Sequence, residues 1–216
     1  IDHCLVGSEM CIRDSVGVTL SEEQIAYAQQ RKIREKLEKV EYRLQDYRNV
    51  NEKYDRIVSV GMFEHVGTAH YQEFFNKVYD LLNDSGVALI HTIGRLNEPG
   101  NTDPWIDKYI FPGGYIPALS ETVSRVEKSG LSLTDVQVLR FHYAETLKRW
   151  RYNFYDNIDK VKEIYDEKFC RMWDFYLSSS QASFEESTLV VFQMQLSKNK
   201  KTVPDSRNYM LSLIHI

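Results

Sequence analysis

Two titratable side chains, Glu64 and His65, stand together directly after the apolar segment 57–60. Another imidazole, His91, lies inside the apolar run 87–94. Short apolar runs predict buried strands, and neighbouring parallel strands end at one edge of a sheet. A carboxylate and an imidazole that converge on that edge could share a proton or bind a small polar species. The alternative for His91 is a core histidine whose ring is bonded to a backbone carbonyl.

Tyr143 follows a later predicted strand, 131–139, and could bring a phenol to the same rim. The other histidines near these segments, His65 and His142, are expected to face outward or to support their loops. The candidate catalytic residues are therefore Glu64, His91 and Tyr143.

Polar side chains also stand at, or just after, the ends of the first two predicted strands, 16–20 and 40–47. They are Thr19, Ser21 and Gln24 at the first strand, and Gln45 and Asp46 at the second. Such side chains could hydrogen-bond the ribose and adenine of a nucleoside-like cofactor at the sheet edge. Two ordinary explanations stay open. Ser21 and Gln24 have the spacing of a helix capping box, and the segment QDYR could form a simple turn.

Strands alternate with helices along most of the chain, which predicts an α/β fold with a doubly wound, mostly parallel sheet. The predicted strands are 16–20, 40–47, 54–61, 87–94, 131–139 and 187–196. The predicted helices are 21–39, 71–86, 118–130 and 143–184, the last region being rich in aromatic residues.

The segment 95–117 interrupts this rhythm with four prolines and several glycines. It also carries four aromatic residues: Trp105, Tyr109, Phe111 and Tyr115. An aromatic insertion beside a sheet edge could form the lid of an apolar substrate pocket and contact lipid. Aromatic faces could also stabilise a developing positive charge. For most other aromatic residues of the chain, helix packing is a sufficient explanation.

Composition limits the class of protein. A chain of 216 residues with 43% hydrophobic residues is long enough to bury a core, and a net charge of −4 argues against nucleic acid as a partner. An apolar run of about 18 residues, as a spanning helix requires, is not found. The three cysteines have neither metal-site nor disulfide spacing, which fits a reducing cytoplasm and predicts no metal site.

The two ends of the chain resemble translated cloning sequence. The final LSLIHI and the early EMCIRDS can be read from opposite strands of one adapter-like DNA segment. Residues 1–15 and 211–216 are therefore expected to be non-native, which removes Cys4 and Cys11 from the functional argument.

Six segments together resemble one enzyme family. They are VGVTLSEEQIAYAQQR, LQDYR, YDRIVSVGMFEHVG, LIHTIG, DPWIDKYIFPGGYIP and YAETLKRW, in this order. The chain resembles the cyclopropane-fatty-acyl-phospholipid synthases and mycolic acid cyclopropane synthases over about residues 16–197. The resemblance implies a class I S-adenosylmethionine-dependent methyltransferase fold, Rossmann-like, whose last strand is antiparallel. Residues 16–197 would be a partial methyltransferase domain and 198–216 a polar tail.

The resemblance also implies a reaction and its ligands. A methyl group passes from S-adenosylmethionine to a cis double bond of a membrane phospholipid, and loss of a proton closes a cyclopropane ring. A bicarbonate ion would be held by Glu64, His91, Tyr143 and the backbone of Ile93. The cofactor would contact the polar residues after the first two strands. The protein would be cytoplasmic and peripherally membrane-associated, with a homodimer allowed.

One departure from the family pattern concerns the start of the chain. The family's glycine-rich cofactor loop, with its first strand and helix, would lie upstream of Val16. The chain as given is therefore expected to bind the cofactor poorly. Two alternatives remain open: a related methyltransferase that does not close a ring, and an inactive lipid-binding fragment. A nicotinamide-dependent oxidoreductase is disfavoured because the dinucleotide fingerprint is not seen.

Overall fold

The computed structural model describes residues 14–211. The chain divides into two compact units, residues 1–53 and 54–216. Cys4, Cys11 and most of the two adapter-like ends lie outside the described residues. The predicted non-native status of those ends stays a prediction.

The first unit contains a parallel strand pair joined by one helix. Its elements are β1 (Ser15–Thr19), α1 (Glu22–Arg34) and β2 (Val40–Leu44). The Ser21 hydroxyl caps α1 by accepting a hydrogen bond from the backbone N–H of Gln24 at 3.1 Å, as the capping pattern predicts. The prediction that α1 reaches residue 39 is wrong. Lys36 adopts a φ of 54°, and the chain turns there so that Leu37 becomes buried.

The second unit contains a four-stranded sheet and the remaining helices. Its elements are β3 (Tyr54–Val60), α2 (Tyr71–Leu81), β4 (Leu82–Arg95), α3 (Pro104–Tyr109), α4 (Leu119–Ser129), β5 (Ser132–Leu139), α5 (His142–Asp156), α6 (Ile158–Ile164), α7 (Glu167–Glu186), β6 (Leu189–Ser197) and α8 (Asn208–Leu211). The strand order is β3-β4-β6-β5. β3 and β4 are parallel, whereas β6 is antiparallel to both its neighbours. The predicted α/β class is confirmed, including an antiparallel last strand.

Two predicted boundaries in the second unit are wrong: the end of the helix predicted over 71–86, and the start of the strand predicted over 87–94, which begins at Leu82. The helix predicted over 71–86 ends at Leu81, because Leu82 is fully buried and already pairs with Tyr54 in the sheet. Gly86 therefore does not end a helix. A side chain there would meet the carbonyl oxygens of Asn83 and Tyr54 at 2.9 and 3.1 Å, so the close approach of β3 and β4 requires glycine.

The long aromatic region predicted as helix over 143–184 forms three helices, α5 to α7. Breaks occur at Asn157 and Asp166, and the Asp166 carboxylate caps α7 by accepting from the Phe169 amide. The proline-rich insertion contains the short helix α3, which Asp103 caps in the same way. Among residues 14–211, every helix is too short or too polar to cross a bilayer.

The two faces of the central strands differ in burial. Ile90 and Thr92 of β4 are fully buried beside Met194 and Phe192 of β6. The residues that alternate with Ile90 and Thr92 along β4 project to the opposite face of the sheet, which is only half-buried. His91 belongs to that half-buried face, so its side chain is neither enclosed in the core nor fully exposed.

Candidate active site

Glu64 lies in a single helical turn, Phe63–His65, that follows β3. The turn is anchored by the fully buried Phe63 ring. One carboxylate oxygen of Glu64, Oε1, accepts from the backbone N–H of Ile93 at 2.7 Å. The other oxygen, Oε2, is buried and lacks a hydrogen-bond partner among the described residues. An orphaned carboxylate oxygen is costly, so a donor is expected to approach it in the working protein.

His91 lies on β4, where it is paired directly with Gln193 of β6. Its Nδ1 stands 3.1 Å from the side-chain nitrogen of Gln193. The ring is therefore bonded to a side chain, not to a backbone carbonyl as in the core alternative. Burial lowers the pKa of His91, and the negative charge of Glu64 partly opposes that shift. A neutral imidazole at physiological pH follows.

Tyr143 is the second residue of α5 and packs its ring against Phe184, with ring centroids 5.0 Å apart. Burial raises the pKa of its hydroxyl, and the Glu64 charge raises it further. The same carboxylate thus acts on His91 and on Tyr143. The structure therefore brings His91 and Tyr143 each within electrostatic reach of Glu64.

The backbone of Ile93 contacts Glu64, and its predicted contact with bicarbonate stays a prediction. Its N–H already donates to Glu64, so that donor is occupied. Its side chain packs against the core cluster formed by α5, α7 and Val191 of β6. In this structure Ile93 serves to hold the Glu64 carboxylate in place.

The aromatic insertion packs on the helices beside this site. The Trp105 ring lies edge-on to Phe175 of α7 with centroids 4.8 Å apart, and Phe111 lies edge-on to Tyr176 at 5.9 Å. Phe111 keeps 43% of its surface exposed, and Tyr109, beside Trp105, keeps 48%. The predicted lid residues therefore present a partly open aromatic surface.

Tyr115 has a different environment. Its hydroxyl donates to the Glu121 carboxylate at 3.0 Å, and its backbone N–H donates to the Glu64 carbonyl at 2.9 Å. The insertion is thereby tied to the turn that carries Glu64. Glu121 was not among the predicted site residues. Its carboxylate also accepts from the Ala118 backbone N–H at 2.9 Å, but the alanine at the helix start gives no capping-box signal in the sequence.

The predicted cofactor residues lie in the first unit, at the carboxyl ends of β1 and β2. The backbone N–H of Gln45 donates to the backbone carbonyl of Thr19 at 3.0 Å, which joins the two strand ends. The Thr19 hydroxyl donates to the Gln24 side chain at 2.7 Å. The Asp46 carboxylate is paired with Arg48, whose hydrogen bonds lower the Asp46 pKa. The hydroxyl, amide and carboxylate groups of this set suit a nucleoside in kind.

His65 and His142 are exposed, as expected from the sequence. The His65 ring contacts Phe111 edge-on at 6.0 Å, so it supports the insertion. Gln193 was missed as a site residue. Its signal was the alternation of polar and apolar residues in VVFQMQL, which places Gln193 and Gln195 on one face of β6.

A family model described as mycolic acid cyclopropane synthetase matches residues 10–194. The chain belongs to the mycolic acid cyclopropane synthetase family. The resemblance seen in the sequence is thereby confirmed.

Relatives within this family carry several names. The cyclopropane-fatty-acyl-phospholipid synthase of Escherichia coli K12 is 38% identical over 183 residues, 85% of this chain and 47% of that protein. The tuberculostearic acid methyltransferase UfaA1 of Mycobacterium tuberculosis is also 38% identical, over 87% of this chain and 47% of that protein. The chain thus spans about half the length of these curated relatives.

A solved structure of a family member confirms the fold. The mycolic acid cyclopropane synthase CmaA1, complexed with SAH and CTAB, superposes with a TM-score of 0.77 at 31% sequence identity. The match covers 84% of this chain and 68% of that one. The methyltransferase fold predicted from the sequence is the fold of this structure.

The lowered pKa of His91 predicts acid sensitivity. Its pKa in the folded protein lies below the ordinary value of 6.5, so the unfolded chain binds the proton more readily. The resulting destabilisation is absent well above pH 6.5 and grows as the pH falls through that value. As the pH falls from about 8 to about 5, we expect His91→Gln to lose less unfolding free energy than the wild type.

Urea unfolding at a series of pH values measures this difference. His142→Gln, at an exposed histidine one residue before Tyr143, is the matched control and should keep the wild-type slope. Identical slopes for wild type and His91→Gln would contradict the prediction.

Proposed function

We propose that this protein transfers a methyl group from S-adenosylmethionine to the cis double bond of an unsaturated phospholipid acyl chain, forming a cyclopropane ring. The observation that carries the proposal is the convergence of Glu64, His91 and Tyr143, with one Glu64 oxygen buried and unpartnered among the described residues. Family membership and the name of the E. coli relative support the choice of substrate.

The site fits a bicarbonate ion in its donor set. The orphaned Oε2 of Glu64 would accept the single O–H of that ion. His91 and Tyr143 each carry a hydrogen-bond donor that suits the remaining anionic oxygens. The Ile93 N–H, being bonded to Glu64, would orient the carboxylate and would not contact the ion directly.

The cofactor proposal concerns the first unit. We propose that the hydroxyl, amide and carboxylate groups at Thr19, Gln45 and Asp46 bind the adenosine part of S-adenosylmethionine, with Ser21 and Gln24 beside them. The SAH in the CmaA1 structure supports this choice, since SAH is what S-adenosylmethionine becomes after methyl transfer. Ser21 also caps α1, so its hydroxyl serves the helix as well.

The reaction balances as a net gain of one CH2 by the acyl chain. When bound, S-adenosylmethionine supplies the electrophilic methyl group and bicarbonate supplies a base. The double-bond electrons would form the new carbon–carbon bond as the sulfur–methyl bond breaks and S-adenosylhomocysteine leaves. The resulting cation would give one proton of the added methyl to bicarbonate as the ring closes. Glu64 would orient the bicarbonate by accepting a hydrogen bond from its O–H at Oε2. His91 and Tyr143 would hold the ion by donating hydrogen bonds to it, and the aromatic insertion would exclude water from the cation.

Tyr109 and Phe111 are proposed to contact the acyl chain at a peripheral membrane surface. Removing an aromatic side chain that becomes buried on binding costs about 1.5–3 kcal/mol, or roughly ten- to a hundredfold in affinity. We therefore expect Phe111→Ala and Tyr109→Ala to weaken vesicle binding by at least about tenfold and to leave cofactor affinity unchanged.

Vesicle flotation and a cofactor titration measure the two effects separately. Tyr79→Ala, at a partly exposed aromatic residue of α2, is the control and should bind vesicles like the wild type. Equal losses of lipid and cofactor binding would overturn the assignment of these residues to lipid.

A methyltransferase that does not close the ring is the second candidate. Its support is that UfaA1, a methyltransferase by name, is as similar to this chain as the E. coli synthase. Both candidates use the same cofactor and acceptor class. They differ in whether the product keeps a methyl branch or contains a ring.

One experiment separates these functions. The full-length protein is incubated with labelled S-adenosylmethionine and vesicles of unsaturated phospholipid, and the lipids are identified by mass spectrometry. A product heavier by one CH2 that lacks its double bond and resists hydrogenation supports the cyclopropane synthase. A methyl-branched or unsaturated product supports the second candidate. Binding to vesicles without methyl transfer would indicate an inactive lipid-binding protein.

A further inference from the structure

The side chain of Gln193 contacts His91 on the half-buried face of the sheet. The two residues are directly paired across β4 and β6, so their side chains leave the sheet side by side. The Gln193 nitrogen lies 3.1 Å from Nδ1 of the imidazole. This contact joins a predicted catalytic residue to a strand that contributes none of the other proposed bicarbonate contacts.

The contact has a consequence for the imidazole proton. A side-chain amide nitrogen can only donate hydrogen bonds, so Nδ1 of His91 must accept. Burial keeps the ring neutral, and a neutral imidazole carries a single proton. That proton then resides on Nε2. The opposite tautomer would place two N–H groups against each other.

We propose that Gln193 is a positioning residue that holds His91 in its Nε2–H tautomer and fixes the orientation of the ring. The proposal deepens the proposed function, because an Nε2–H group is the donor that His91 would offer to an anion. Without Gln193, the imidazole could exchange between two tautomers, and only one presents a donor at that position.

The other groups around His91 do not replace this contact. Glu64 acts on the imidazole through its charge, but its Oε1 is occupied by the Ile93 amide. Gln137 of β5 is paired with Gln193 on the side away from His91 and is exposed. Gln193 is thus the side chain that the sheet places against Nδ1.

Nitrogen NMR of the full protein labelled in its histidines tests the proposal without requiring activity. His91→Gln assigns the His91 signals. In the wild type we expect Nδ1 to show the shift of an unprotonated, accepting nitrogen and Nε2 that of a protonated one. In Gln193→Leu both signals should move toward the average of two exchanging tautomers. Gln137→Leu removes an amide from the same face and should leave the spectrum unchanged.

A second variant reverses the chemistry of the contact. In Gln193→Glu the carboxylate can only accept, so His91 should change to the Nδ1–H tautomer. The pKa of His91 should also rise, because the new carboxylate adds a second negative charge to that of Glu64. A wild-type His91 protonated on Nδ1, or a tautomer that ignores both substitutions at Gln193, would overturn the proposal.

Turnover provides an independent readout if the proposed reaction is confirmed. Loss of an orienting partner typically reduces histidine function by roughly 10- to 100-fold, as for histidines held by a second partner in metal sites. We expect Gln193→Leu to lower kcat by about tenfold without raising KM for lipid. Absence of methyl transfer in the wild type would refute the proposed function and leave the NMR result on the tautomer standing.

Discussion

Glu64→Gln is expected to reduce formation of the methylated lipid product by a hundredfold or more, on the order of the effect of losing an acid–base group. The substitution preserves size, and its amide oxygen can still accept from the Ile93 N–H. It replaces the buried, unpartnered Oε2 by an NH2 group, which donates where the site needs an acceptor. It also removes the charge that raises the pKa values of His91 and Tyr143.

Product yield and thermal unfolding should be measured on the same samples. Because Oε2 is buried without a partner among the described residues, removing its charge should not lower the unfolding temperature. Glu127→Gln, at an exposed position of α4, is the matched control and should keep full activity. Wild-type product yield in Glu64→Gln would refute the catalytic role of Glu64.

Phe63→Ala is expected to lower the free energy of unfolding of the second unit by about 3–5 kcal/mol, the usual cost of deleting a buried aromatic ring. Phe63 is fully buried and stacks on Tyr71 with ring centroids 4.2 Å apart. It also contacts Phe74 and Phe75 of α2 at 5.2 and 5.4 Å. Because Phe63 precedes Glu64 in the same turn, methyl transfer should fall as well.

Urea unfolding gives the stability change. Phe141→Ala removes the same side chain from a position that is 56% exposed, and its effect should stay within about 0.5 kcal/mol. Phe63→Leu keeps most of the buried volume and should lie between the two. Equal midpoints for Phe63→Ala and Phe141→Ala would show that the aromatic cluster does not stabilise the unit.

Much of the fold could be predicted because local patterns agree with it. The apolar run of β4, the cap at Ser21 and the left-handed Gly130 after α4 are local signals, and each is present in the structure. The apolar run 57–60 does form β3, but the prediction that this strand is buried is wrong, because Val58 and Val60 are 58% and 41% exposed. The end of α2 could not be predicted from local signals. Leu82 leaves the helix because it is buried against a strand neighbour that is distant in sequence.

The sequence by itself determined the family, the α/β class and the identities of the candidate catalytic residues, since these depend on residue order and on motifs of a few positions. Tertiary structure alone decided how those residues are connected. The Ile93 amide is bound to Glu64, 29 positions away, and Gln193 meets His91 across 102 positions. Such contacts arise only when distant strands pair and their side chains alternate between faces, so periodicity within any one segment cannot specify them.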